Sequence, residues 1–187
     1  EETLDSTLKA LWFTAAGAPV SAEMALSLLI PELSEEQIKR LNELIDLRLN
    51  NIPLAHITNR QSFMGIEFIS DYRALIPRKE TEVLGKKALE LSFFISKSKG
   101  AINVMDVCCG SGNLGIAISY YNPKCKVFAA DISKEAIELT KENVNLLHQN
   151  ERVNVICSDL FSGFESEEFY GKIDLIVCNP PYISCSK

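Results

Sequence analysis

From residue 102 onward the chain alternates between two hydrophobic periods. Four continuous apolar runs, INVMDV (102–107), KVFAAD (126–131), VNVIC (153–157) and IDLIVC (173–178), are bounded by polar or turn-forming residues. Runs of this kind suit strands in a sheet covered on both faces. Among them lie NLGIAISYY and SKEAIELTKENVNLLHQN, whose apolar residues recur at helical spacing. Strand–helix–strand repetition implies parallel strands joined by right-handed crossovers. The second half of the chain therefore reads as α/β, a doubly wound and mostly parallel sheet.

The first half follows a different pattern. Residues 3–50 read as helical throughout, with Leu4, Leu8, Leu11 and Trp12 on one stripe and SAEMALSLLI as a second. Ser34 followed by Gln37 is a capping-box start, and Pro19 and Pro31 punctuate the breaks. RQSFMGIEFISDYRALIP holds two short β-like runs around Gly65 and reads as a hairpin. A helix over about 80–96 follows Pro77, and SKSKGA (96–101) reads as a loop. These shifts divide the chain into a small helical bundle (1–59), a β-hairpin linker (60–79) and an α/β domain (80–187).

Composition narrows the partners. A net charge of −6 over 187 residues argues against a broad basic surface, so no direct nucleic-acid contact is expected. No apolar run approaches the roughly 18 residues of a membrane span, and no basic-then-apolar leader opens the chain. Six cysteines stand without a C-x-x-C pair beside only two histidines, which offers no zinc spacing, so no metal is expected. Reduced thiols in a cytoplasmic protein are the expectation.

The chemistry concentrates at strand ends. The first run leads straight into DVCCGSGNLG (106–115), a glycine-containing turn from strand to helix that lets a ligand approach the backbone. Gly110, Gly112 and Gly115 fit G-x-G-x-x-G, a weak signal alone, so flanking residues must arbitrate. Asp131 ends the second run, where a carboxylate accepts ribose hydroxyls; capping the next helix is its structural alternative, with Ser133 as a competing cap. Asp159 and Leu160 follow the third run as candidate adenine neighbours, Asp159 equally suited to a solvated turn. Together they put a nucleoside across the carboxyl ends of the strands.

The fourth run ends in Asn179, Pro180, Pro181 and Tyr182. Two prolines fix the backbone, and simple strand termination is the alternative reading. In the functional reading the Asn179 amide and the Pro180 carbonyl grip a planar amide or amino group, and Tyr182 lays its ring against it. Such a grip aligns a weak nucleophile with an electrophile.

DVCCGSGNLG, Asp131, Asp159 and NPPY in this order resemble class I S-adenosylmethionine-dependent methyltransferases acting on a planar nitrogen. IPLAHITNRQSFMGIEFISDYRALIPRKETEVL (52–84) is similar to the P-x-A-Y-x-x-G, F-x-G and LIPRP-x-TE run of the release factor glutamine methyltransferases, the HemK or PrmC family. The resemblance covers essentially the whole chain. It implies S-adenosyl-L-methionine as cofactor, held by Cys108, Cys109, Gly110, Ser111, Gly112, Asp131, Asp159, Leu160 and Asn179. It also implies Asn179, Pro180 and Tyr182 as catalytic residues and Asn179 to Tyr182 as the glutamine site. Arg78 and Glu82 would shape the cleft or form a structural salt bridge. The implied substrate is the Gly-Gly-Gln loop of a peptide chain release factor.

The chain departs from the family at four places. Cys108-Cys109 replaces the first two residues of Gly-Thr-Gly-Thr-Gly, where a side chain demands a different backbone angle. Lys79 replaces a proline, and HITN (56–59) differs from the expected tyrosine and glycine. A class I fold continues with three strands after NPPY, so the sheet is expected to be C-terminally incomplete. Two further readings stay open: the same chemistry on another protein amide or a nucleic-acid amino group, and a methyltransferase-like binding module without turnover. No general base is evident in the pattern.

Overall fold

The computed structural model describes residues 2–181. Two compact units divide the chain, residues 1–77 and 78–187.

In the first unit, α1 (Leu4–Ala15) starts because Thr3 Oγ1 accepts the Ser6 N–H at 3.2 Å while Ser6 Oγ accepts the Thr3 N–H at 2.9 Å. Helix α3 (Glu35–Leu49) uses the capping box read from Ser34 and Gln37. The stretch between them is less helical than its apolar stripe implies. Helix α2 covers only Ala22–Ala25, and Leu29 is almost fully exposed. Pro31 disfavours helical backbone at Ile30, so the second stripe has no room to propagate.

A helix the sequence did not announce, α4 (Leu54–Thr58), follows Pro53 and ends at Asn59 in the left-handed region. Leu11, Phe13, Leu41, Leu44 and Leu54 form the core of these helices.

Strands β1 (Arg60–Phe63) and β2 (Ile66–Ile69) form the hairpin, with Phe63 opposite Ile66. Met64 and Gly65 both have positive φ, the arrangement whose twist suits a two-residue hairpin turn. Glu67 on β2 accepts from both the N–H and the hydroxyl of buried Ser21, tying the hairpin to the start of α2.

The second unit opens with α5 (Thr81–Lys99). It then alternates β3 (Ile102–Val107), α6 (Asn113–Tyr121), β4 (Cys125–Asp131), α7 (Lys134–Leu146), β5 (Val153–Cys157) and β6 (Leu175–Cys178). The four strands pair in parallel, in the order β5-β4-β3-β6. From β3 the chain winds outward to β4 and β5, then returns to place β6 on the other side. The winding therefore reverses between β3 and β6, and the crevice beyond their carboxyl ends is where such sheets bind ligands.

Met105, Val107, Phe128, Ala130 and Phe164 fill one face of this sheet, with Phe169 set edge-on against Phe128 and Phe164 at 5.1 Å each. Strand β6 begins two residues later than its apolar run implies. There Asp174 turns its carboxylate onto the Asn103 N–H at 2.8 Å and onto the Lys99 ammonium.

Candidate active site

The turn Cys108–Gly112 leaves β3 at the winding reversal. Its backbone is held from several sides. The Cys109 N–H donates to Ala130 O at 2.9 Å, and the Gly112 N–H closes back on Cys109 O at 2.8 Å. Helix α7 takes two of the turn's carbonyls: Thr140 Oγ1 donates to Gly110 O at 2.8 Å, and Asn143 Nδ2 to Ser111 O at 3.0 Å. A Cβ at Gly112, whose φ is +79°, would stand 2.6 Å from Thr140 Cγ2, so only glycine fits.

Cys108 has a φ of 59°, the left-handed region that glycine adopts most easily. The cysteine at this position therefore keeps a glycine-like backbone rather than re-routing the turn, at a cost of roughly 1–2 kcal/mol.

Asp131 holds the turn from β4. Its Oδ2 accepts the Gly110 N–H at 2.9 Å and its Oδ1 the Ser133 N–H at 3.0 Å. Ser133 itself caps α7, accepting the Ala136 N–H at 3.2 Å. Capping is thus the work of Ser133, and Asp131 supports the glycine turn. A carboxylate has about four acceptor sites, so Asp131 retains capacity for hydroxyl donors from a ligand.

The sequence reading missed Asp106. It lies fully buried on β3, where Oδ2 accepts the Gly115 N–H at 2.8 Å and Oδ1 has no hydrogen-bond partner among the described residues. Burial is the main cause that lifts its pKa to about 7, with the Asp131 charge adding to the shift. Gly115 permits this contact: a Cβ there would stand 2.9 Å from Val127 Cγ1 and 3.0 Å from Asp106 Oδ2. The signal was available as a carboxylate inside the apolar run INVMDV, four residues before the first loop glycine.

The thiols of the turn differ in setting. Cys109 is buried against Thr140 Oγ1 at 3.7 Å, and burial pushes its pKa well up. Cys108 is half-buried, and burial followed by the neighbouring Cys178 thiol raises it to about 11.

Asn179 follows β6 directly and is half-buried, whereas Pro180 and Pro181 are exposed. Because Val107 pairs with Cys178, the start of the glycine turn and Asn179 stand side by side at adjacent strand ends. Tyr182 lies outside the described residues.

Asp159 and Leu160 are exposed in the loop after β5, with Leu160 at a φ of 49°. Ser158, also unanticipated, organises that loop by donating to Leu160 O at 3.0 Å and accepting the Gly163 N–H at 2.8 Å. The loop lies two strand spacings from β3, about 10 Å. The structure thus joins Cys108–Gly112, Asp131 and Asn179 around the winding reversal and leaves Asp159 and Leu160 on the far side of β4.

Glu82 of the IPRKETE segment is buried on α5 and pairs with Lys79 at 3.3 Å and Lys86 at 3.2 Å, while Arg78 is exposed. Lys79, the residue that departs from the family's proline, therefore helps neutralise this carboxylate.

Taken together, the turn offers acceptors with spare capacity at Asp131, an unpartnered buried oxygen at Asp106, and the positive end of α6. The spare acceptor sites of Asp131 fit a ligand with vicinal hydroxyls. No group of three or more metal-ligating side chains occurs among the described residues. No helix among them is long and apolar enough to cross a membrane.

The profile of the methyltransferase small domain matches residues 88–187. A release factor glutamine methyltransferase of Borreliella burgdorferi is 33% identical over 178 residues, which are 95% of this chain and 59% of that protein. A ribosomal protein uL3 glutamine methyltransferase of Xanthomonas campestris is 37% identical over 133 residues, 71% of this chain and 41% of its own. The chain thus spans about half the length of these curated relatives. A crystal structure of a SAM-dependent methyltransferase from Agrobacterium tumefaciens superposes with a TM-score of 0.53 at 23% identity, over 65% of this chain and 39% of the other. That likeness shows the class I fold.

Proposed function

This chain belongs to the methyltransferase small domain family, and from that premise we propose that it methylates the side-chain amide nitrogen of a protein glutamine, using S-adenosyl-L-methionine. The reading is supported above all by the juxtaposition of a glycine turn with spare acceptors and the Asn179-Pro180 strand end, across the β3–β6 reversal.

When bound, the cofactor supplies a methyl group on a sulfonium. Asp131 would offer its free lone pairs to the ribose diol, and Asp106, buried behind the turn, would hold the turn in place through the Gly115 N–H. Asp159 and Leu160, one strand beyond Asp131, border the adenine. Cys108 to Gly112 shape the floor of the site through backbone, not side chains.

On the substrate side the Asn179 amide oxygen and the Pro180 carbonyl accept the two N–H groups of the glutamine amide. Both prolines limit how far those acceptors can wander. An amide nitrogen is a poor nucleophile because its lone pair is delocalised, so orientation carries much of the rate. Its proton becomes acidic as the new N–C bond forms and passes to solvent.

The names of the relatives favour the glutamine of a peptide chain release factor as substrate, which would place the protein in translation termination. A ribosomal protein is the runner-up, since one relative carries that name. The test is transfer of radiolabelled methyl from S-adenosylmethionine to each purified protein in parallel. Label in the release factor alone supports the first reading. Label only in ribosomal protein uL3 replaces it, and calorimetric failure to bind the cofactor rejects both.

A further inference from the structure

Two thiols meet at the winding reversal. Val107 on β3 pairs in register with Cys178 on β6, and Cys108 follows Val107 directly. In an extended strand Cys108 would face away from Val107, but its φ of 59° ends the alternation. Cys108 and Cys178 therefore stand diagonally across adjacent strand ends, and the Cys178 thiol is close enough to help raise the Cys108 pKa. A strand spacing of about 4.8 Å and a rise of about 3.3 Å per residue put the Cα atoms of Cys108 and Cys178 roughly 6 Å apart, within the Cα separation of about 4.4–6.8 Å that a disulfide spans.

We propose that Cys108 and Cys178 form a redox modification site, a dithiol that a peroxide converts to a disulfide across the ends of β3 and β6. Cys178 is exposed and is the thiol that peroxide reaches first. Its sulfur takes one oxygen to become a sulfenic acid, releasing water. The Cys108 sulfur then forms the S–S bond as the sulfenic oxygen leaves with the Cys108 proton as a second water. Two thiols are oxidised and one peroxide is reduced to two waters.

Cys108 suits the second step and not the first. Burial slows its reaction with peroxide, whereas a sulfenic sulfur at the adjacent strand end is an electrophile that needs no diffusing partner. Cys109 does not compete. Its thiol is buried under α7 against Thr140, away from the peroxide path.

The consequence rests on the reading given under Proposed function. Cys108 opens the cofactor turn and Cys178 immediately precedes Asn179, so a covalent link fixes both sides of the crevice in one setting. Loss of S-adenosylmethionine binding on oxidation, reversed by dithiothreitol, is the expected result.

The test treats the reduced full chain with stoichiometric hydrogen peroxide and reads its intact mass and its peptide map without reducing agent. The expected product has lost two hydrogens and carries a Cys108–Cys178 linked peptide. Cys178→Ser and Cys108→Ser each prevent that loss, and each checks the other should one variant fold poorly. Addition of oxygen without a cross-link, a link between any other pair, or an unchanged mass overturns the proposal. Calorimetry on the two redox forms separates the claims. A cross-linked protein that binds the cofactor as well as the reduced form overturns the consequence. A reduced protein that binds none overturns the cofactor reading while leaving the cross-link result standing.

Discussion

The Gly115 N–H donates to Asp106 Oδ2 at 2.8 Å, so the first turn of α6 is fastened to a carboxylate buried at the end of β3. This bond spans the whole glycine turn. It explains why a charged residue tolerates a fully apolar strand: the contact gives one oxygen a donor, and partial neutralisation relieves the other.

That burial sets a pH dependence. The Asp106 pKa rises from the usual 3.8 to about 7, so between these limits the folded chain holds a proton that the unfolded chain has released. Its contribution to stability is present at low pH and is lost as pH climbs to about 7. At about 1.4 kcal/mol per pKa unit, the loss amounts to a few kcal/mol at most. Asp106→Asn removes this slope. Urea midpoints measured from pH 5 to 8 should therefore show the variant gaining on the wild type with rising pH and levelling above 7. A pH-independent difference would count against the assignment.

Gly115→Ala tests the same contact sterically. The new methyl meets Val127 and Asp106 at about the closest distance that carbon tolerates, and both neighbours are buried. Overpacking of this kind costs roughly 1–3 kcal/mol. Denaturant unfolding should show that loss together with weaker S-adenosylmethionine binding in calorimetry.

Cys108→Gly runs the other way. Removing the side chain at a φ of 59° relieves roughly 1–2 kcal/mol of left-handed strain, against up to about 1 kcal/mol of added unfolded-state entropy. The strain term is the larger, so the denaturation midpoint should rise slightly. Cys109→Gly has no such compensation, because it empties a buried position beside Thr140, and its midpoint should fall.

The parallel sheet was legible because its strands read as unbroken apolar runs; β3 and β4, at its centre, are buried on both faces, whereas β5 and β6, at its edges, are partly exposed and so less covered than their runs imply. VNVIC and INVMDV fall on β5 and β3 residue for residue. The capping box at Ser34 was legible for a similar reason, a local bond pattern set by residues three apart. SAEMALSLLI misled because hydrophobic spacing does not register that Pro31 leaves no length for a helix. Asp106 escaped notice because its importance lies in a bond to Gly115, nine residues on, which exists only once α6 folds back along β3. The placement of Cys108 and Cys178 at adjacent strand ends was equally invisible, since it depends on strand order.

The central claim is tested most directly by the intact mass of a peptide chain release factor incubated with the full-length protein and S-adenosylmethionine, compared with Asn179→Ala. The account predicts that the release factor gains one methyl group, mapped by fragmentation to a glutamine side chain. It also predicts that Asn179→Ala abolishes the gain while cofactor affinity changes far less. A methyl group on any other residue type, or undiminished transfer by Asn179→Ala, would contradict it.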